Sequence, residues 1–218
     1  MVYLNREDAG AQLVRSLSKF KGKDTVVMGL PRGGVVLAAE VAKKLEAPLG
    51  AVLVKRIGHP TYPEYAIGAV AEGAAPVFNQ RDLTTLDIEW VKGAIEAATN
   101  LIRRRRRIYY DEDLAQPDIA RKTVILVDDG IATGLTMEAA ARAMLKKKAK
   151  AVIVAVPVAA QDSIASLKET TDEVIVLDNP ENFLGSVGAH YTGFEQVSNN
   201  DVKKILQKGG AHVFKTTA

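Results

Sequence analysis

The apolar positions of this chain fall into two alternating patterns. Short, near-continuous runs rich in β-branched and aliphatic residues occupy positions 25–30, 51–55, 123–127, 151–156 and 174–177. Runs without polar alternation suit strands covered on both faces, as in a parallel sheet. Between them, helical stretches are expected at 6–20, 34–45, 136–147 and 163–169, with Asn5 as the N-cap of the first. The alternation predicts an α/β fold, a central and mainly parallel five-stranded sheet flanked by helices. A longer helix is expected at 87–109, where Ile88, Val91, Ile95, Ala98, Ile102 and Tyr109 follow steps of three and four. Arg105 falls at the missing position of that seam.

Two stretches break the alternation. Residues 56–79 carry Gly58, His59, Pro60, Pro63 and further glycines, which predicts a loop followed by a short hairpin. Residues 179–198 are irregular and aromatic. Both are expected to form a small hood over the strand ends, at about 56–80 and 179–198, on a single domain of residues 1–208. Residues 209–218 are expected to be a frayed tail.

Composition narrows the function classes. The 218 residues are 47% hydrophobic and 25% charged, enough apolar material for a sizeable core. There is no cysteine, which excludes disulfides and thiolate metal sites and points to a cytoplasmic protein. No apolar signal region or membrane-length run is present. A net charge of +3 mildly favours anionic ligands, and the balance of charges speaks against nucleic acid. His59, His190 and His212 show no metal-ligand spacing. Arg103 to Arg107 are consecutive, so they cannot share one helical face. They read first as a solvated helix end, and second as a run whose Arg105 points inward to a phosphate or a carboxylate.

Chemistry concentrates in residues 123–136, T-V-I-L-V-D-D-G-I-A-T-G-L-T, ahead of the helical run M-E-A-A-A-R-A-M-L. An apolar strand ends in Asp128 and Asp129, and a turn leads to a helix start. Ligands of parallel sheets sit beyond the carboxyl ends of strands, where these residues fall. Successive backbone N–H groups at a helix N-terminus make an anion site. Gly134 removes a side chain where backbone must approach a phosphate, and Thr133 and Thr136 add hydroxyls. Two adjacent carboxylates beside such a nest repel each other unless a ribose or a metal sits between them. Neither a G-x-x-x-x-G-K-[ST] nor a G-x-G-x-x-G fingerprint is present. A second glycine turn, M-G-L-P-R-G-G-V-V at 28–36, brings Arg32 beside Gly33 and Gly34. Lys55 and Arg56 end the next apolar run, before a Gly- and Pro-bearing loop that suits a mobile lid over an anion or, alternatively, a plain solvated loop.

Residues 124–136 resemble the phosphoribosyl pyrophosphate (PRPP) signature of the type I phosphoribosyltransferases. The order of parts resembles that family over nearly the whole chain: first strand, pyrophosphate loop, flexible loop, signature, hood. The resemblance implies the type I phosphoribosyltransferase fold with its small hood. It implies that Asp128 and Asp129 hold the ribose hydroxyls, and that Ile131, Ala132, Thr133, Gly134, Leu135 and Thr136 wrap the 5-phosphate. Arg32, Gly33 and Gly34 resemble the pyrophosphate loop, with a non-proline cis peptide expected just before or after Arg32, and Lys55 and Arg56 are expected to meet the same group. Asp128, Asp129 and Arg32 are then the catalytic set. Magnesium is implied as a cofactor carried on PRPP with no direct protein ligand, and a homodimer is implied as the assembly.

The segment N-P-E-N-F-L-G-S-V-G-A-H-Y at 179–191 resembles the P-x-x-F segment of 6-oxopurine enzymes. Phe183 is placed where a base stacks and Leu184 where backbone touches it, with packing of the hood as an equal reading. Two departures leave the acceptor open. The oxopurine enzymes carry an acidic base where this chain has Ala132, and their base-reading lysine falls near Thr170. The Ala-Thr-Gly sequence instead resembles adenine and uracil enzymes. Transfer from PRPP to a nucleobase nitrogen is the expectation, a PRPP- or nucleotide-sensing regulator is the rival, and a hydrolase or phosphorylase acting on a ribose phosphate is the third reading.

Overall fold

The computed structural model describes residues 2–111, 114–181 and 183–213, the last four through their backbone. The chain begins with α1 (Arg6–Leu17), β1 (Thr25–Gly29), α2 (Gly34–Leu45) and β2 (Leu49–Ala51). It continues through β3 (Val54–Gly58), β4 (Ala66–Ala71), β5 (Val77–Phe78), the short α3 (Gln80–Leu83) and the long α4 (Ile88–Tyr109). The second half holds β6 (Thr123–Val127), α5 (Leu135–Lys146), β7 (Ala151–Val158), α6 (Gln161–Lys168), β8 (Glu173–Asp178) and α7 (Asn199–Val213). No helix among the described residues is long and apolar enough to cross a membrane.

Five parallel strands form the main sheet in the order β2–β1–β6–β7–β8. Period-two alternation sends Val27, Ile125 and Ile153 into one core with α1, α2 and α7. Val26, Met28, Val124, Leu126 and Val152 enter a second core with α5. Because β1 and β6 are neighbours in register, Gly29 pairs with Val127. The two glycine-bearing turns therefore leave the sheet side by side.

The apolar run at 51–55 is not one strand. Ala51 ends β2, the Val52 N–H donates to Gly29 O at 3.1 Å, and the chain then crosses to a separate antiparallel sheet, β3–β4–β5. The run stays apolar because Val52 and Leu53 are buried at the crossing, so hydrophobicity alone could not mark the change of sheet. Lys55 and Arg56 consequently lie within β3 rather than at a strand end, and the loop follows at 59–65. The register shifts at Ile57/Gly58, where a side chain on Gly58 would overlap Pro63 O.

The β3–β5 sheet packs against α4 and α5. Residues 179–198 are held elsewhere, by the amino terminus. Tyr3 bridges Tyr191, the Tyr3 N–H donates to His190 O at 2.9 Å, and the Thr192 N–H donates to Tyr3 O at 2.8 Å. Residues 209–213, assigned above to a frayed tail, continue α7, and 214–218 lie outside the described residues.

Candidate active site

The signature loop starts where β6 ends. Ile131 forms a parallel bridge with Ala159, donating its N–H to Val158 O at 2.9 Å and accepting from the Ala160 N–H at 2.9 Å. Its amide is thus used to anchor the loop to β7. Beyond it, among the described residues, the N–H groups of Ala132, Thr133, Gly134, Leu135 and Thr136 have no protein acceptor. Gly134 sits at the N-cap of α5 in the left-handed region, φ 79°, and a Cβ there would lie 3.1 Å from Ser163 Cβ. The result is a run of backbone donors aimed outward at the start of a helix whose dipole adds positive potential.

The second turn lies against the first. Leu30 N–H donates to Val127 O at 2.9 Å, the Pro31–Arg32 peptide is cis, and Gly33 and Gly34 open α2. A Cβ on Gly34 would sit 2.6 Å from Val127 O and 2.7 Å from Asp128 Oδ1. One on Gly33 would overlap Asp129 Oδ2 and lie 2.6 Å from Arg6 Nε. Glycine is required at both positions so that the Arg32 turn can touch the carboxylates. Arg32 itself is exposed.

Hydrogen bonds and one ion pair fix the arrangement of Asp128 and Asp129. The Asp129 N–H donates to Asp128 Oδ1 at 2.9 Å, Arg6 Nε donates to Asp129 Oδ2 at 2.9 Å, and Tyr191 OH donates to Asp129 O at 2.6 Å. Burial pushes the Asp128 carboxyl well above the usual carboxylate range, and the charge of Asp129 pushes it further. Burial also raises Asp129, but the Arg6 guanidinium opposes the rise. Of the two, Asp129 is the carboxylate that the guanidinium directly pairs, at 2.9 Å. Burial chiefly, with the Asp129 charge next, raises the Tyr191 phenol, which keeps it a donor.

A cleft of about 440 Å³ opens over this floor. Arg56 and Tyr65 line one wall, Gly185, Ser186 and Val187 the other, and the signature loop lies between. Val187 packs so close that a Cβ on Gly130 would be 2.7 Å from its Cγ1. Arg56 donates to Glu64 O at 3.0 Å and pairs with Glu64 Oε2 at 3.2 Å. Lys55 is half-buried, and burial first, then Arg105 and Arg56, lower its pKa. The inward carboxylate contact considered for Arg105 is made instead by Arg106, which meets Glu72 at 3.1 Å and Gln116 at 2.6 Å. A larger cleft of about 680 Å³, beside Arg106, Tyr110 and Lys147, contains none of the signature residues.

Phe183 and Leu184 stand slightly apart from the cleft. The Phe183 ring packs on His190, with centroids 5.1 Å apart, and the Leu184 N–H donates to His190 Nε2 at 3.4 Å. The hood residues that line the cleft are the next ones in the chain. Sequence patterns passed over Tyr65, Ser186 and Val187 on the cleft walls, Tyr191 against Asp129, and Arg6. For Arg6 one signal was available: a cation in the first turn of a helix, where acids are favoured.

This geometry can be set beside known proteins. The model of the phosphoribosyl transferase domain matches residues 4–192. The chain belongs to the phosphoribosyl transferase family. Proteins of two strains of Mycobacterium tuberculosis, provisionally named phosphoribosyl transferases, are 37% identical over 206 residues, 94% of this chain. The chain spans only 46% of their length. The crystal structure of TT1426 from Thermus thermophilus is similar at 38% identity and a TM-score of 0.77, covering 95% of this chain and 99% of that one. The five-stranded α/β sheet expected from the alternating pattern, and the phosphoribosyltransferase fold that the resemblance implies, are those the chain adopts.

Proposed function

We propose that the protein transfers a phosphoribosyl group from PRPP to a nitrogen acceptor of the nucleobase class and releases pyrophosphate. The observation that carries this reading is the row of backbone N–H groups at 132–136, without protein acceptors, beside two shielded carboxylates. A phosphate and a vicinal diol on one small molecule satisfy both features at once. Thr133 and Thr136 would add hydroxyl donors to the 5-phosphate, with Ile131 and Leu135 shaping the loop. Asp128 and Asp129 would take the ribose hydroxyls. Arg32, with the backbone of Gly33 and Gly34, would meet the pyrophosphate, and Lys55 and Arg56 would approach from β3. Loss of pyrophosphate leaves positive charge on the sugar, so the protein supplies positioning and charge stabilisation rather than a nucleophile.

Magnesium fits this scheme as a passenger on the substrate. Among the described residues, no group of three or more His, Asp or Glu side chains forms a metal cage. Magnesium needs few protein carboxylates and keeps several waters, so pyrophosphate and ribose oxygens can serve it. When bound, it offsets the charge of the leaving pyrophosphate. The acceptor would enter between Tyr65 and the 185–187 wall, with Phe183 and Leu184 behind that wall.

One observation favours a second reading, a regulator that binds PRPP or a nucleotide without turnover. Ala132 is exposed on the loop where oxopurine enzymes carry their acidic base, and it offers no group to move a proton. Incubation with labelled PRPP, with and without a panel of bases, distinguishes the two. Base-dependent formation of a labelled nucleotide and pyrophosphate is expected. Tight PRPP binding with no product from any base would establish the regulator instead.

A further inference from the structure

Arg6 opens α1, yet its side chain turns away from solvent toward the aspartate pair and is only 11% exposed. The first turn of a helix carries positive potential and favours acids. Glu7 and Asp8 obey that rule, and Arg6 breaks it. Three contacts hold the guanidinium in this unfavourable place. Nε donates to Asp129 Oδ2 at 2.9 Å, Nη1 donates to Glu195 O at 2.8 Å, and the Phe194 ring covers the plane 3.7 Å from Cζ. A carbonyl and a ring face leave the guanidinium its charge, so the only carboxylate that these contacts neutralise is Asp129.

The surroundings are equally directed. Tyr191 packs on Phe194 with centroids 5.0 Å apart and donates a hydrogen bond from its hydroxyl to Asp129 O at 2.6 Å. Tyr191 also packs on Tyr3, three residues before Arg6 in the chain, with centroids 5.5 Å apart. Gly33 of the Arg32 turn lies against both Arg6 Nε and Asp129 Oδ2. The amino-terminal helix, the end of the hood and the Arg32 turn therefore converge on one carboxylate. A helix that merely packed against the sheet would need no cation at this point.

We propose that Arg6 is a positioning residue that keeps Asp129 ionised and oriented, so that Asp129 accepts a sugar hydroxyl instead of donating to one. The proposal rests on the phosphoribosyl reading of the site. Its chemical sense lies in the division of labour within the pair. Two shielded neighbouring carboxylates do not both ionise readily, and a fixed cation decides which one does. The anion then stands beside the ribose as positive charge develops there. The charged and titratable groups facing Asp129 are Asp128 from the same loop, Arg6 from α1 and Tyr191 from the hood.

The experiment is calorimetric titration of ribose 5-phosphate, with a chelator present to exclude divalent cations, into wild type, Arg6→Gln and Arg6→Lys across a range of pH. Without the guanidinium, Asp129 loses protons only at higher pH, so binding should be lost on the acid side first. Arg6→Gln is expected to weaken binding about tenfold near neutrality and to shift the pH midpoint of binding upward by about one unit. Arg6→Lys, which restores a cation without the fork, should recover much of the midpoint shift and less of the affinity. An unchanged midpoint in both variants, whatever happens to melting temperature, would show Arg6 to be a structural strut and overturn the proposal. Failure of the wild type itself to bind ribose 5-phosphate would overturn the phosphoribosyl reading, and this proposal with it.

Discussion

Asp128 is placed where its charge is costly in the empty protein: it is shielded, it adjoins Asp129, and the nearest guanidinium is engaged by its neighbour. A carboxyl whose folded pKa is raised contributes stability below the ordinary value near 3.9, and that stability is lost as pH rises through the folded value. At neutral pH the neutral isostere should therefore be the more stable protein. Asp128→Asn is expected to raise the melting temperature at pH 7 by about 2–4 °C, the shift produced by roughly 1 kcal/mol in a domain of this size. It should also weaken ribose 5-phosphate binding. Thermal unfolding at pH 7 and pH 4 tests the sign, because the advantage of Asn should shrink at the lower pH. At the other end of the loop, Thr133→Ala and Thr136→Ala should each cost about 1–3 kcal/mol of ribose 5-phosphate affinity if their hydroxyls bond a charged oxygen. Free ribose should compete poorly, and ribose competing as well as its phosphate would end the 5-phosphate assignment.

Elements whose pattern is local were legible before any coordinates. The strand, loop and helix from Thr123 to Lys146 repeat in the structure almost residue for residue, because a buried strand, a glycine and a helix start leave few alternatives. The same holds for the Arg32 turn and α2, whereas the cis peptide at Pro31–Arg32 was implied by the family resemblance and not by the local pattern. What escaped was set by distant partners. The split at Val52 depends on β4, which arrives later in the chain. The C-terminal helix is the exception: its apolar stripe of Val202, Ile205 and Leu206 has helical spacing and could have been read locally, while its seat is fixed by contacts such as Tyr109 OH to Asn199 Oδ1 at 2.6 Å. Arg6 finds its partner 123 positions away, which no spacing rule reaches. The two turns being separate elements leads to a further expectation. Arg32→Ala should reduce PRPP affinity much more than affinity for a nucleoside monophosphate, which lacks pyrophosphate. Parallel titrations would show this, and equal losses would place Arg32 on the 5-phosphate instead.

Across the whole molecule, the cleft lies between two walls with different supports. One is the antiparallel sheet carried by α4 and α5, and the other is the hood segment tied to the amino terminus through Tyr3. Phe183 belongs to the second wall and packs on His190 behind Gly185, Ser186 and Val187. Phe183→Ala should accordingly lower stability by about 2 kcal/mol, less than a fully buried phenyl because the ring is half-buried. It should weaken ribose 5-phosphate and nucleotide binding to similar extents. Melting temperature together with the two affinities decides it: selective loss of the nucleotide in a normally stable variant would return Phe183 to the base. The contact of Gly33 with Asp129 and Arg6, and of Gly34 with Asp128, bears on how such proteins can be recombined. Three segments from the beginning, the first third and the middle of the chain share one methyl-free seam. A chimera that imports the 28–36 turn from a relative without its matching first helix and aspartate loop should fold its sheet and still misplace the carboxylates. The three segments are, in effect, one cassette that must be exchanged together.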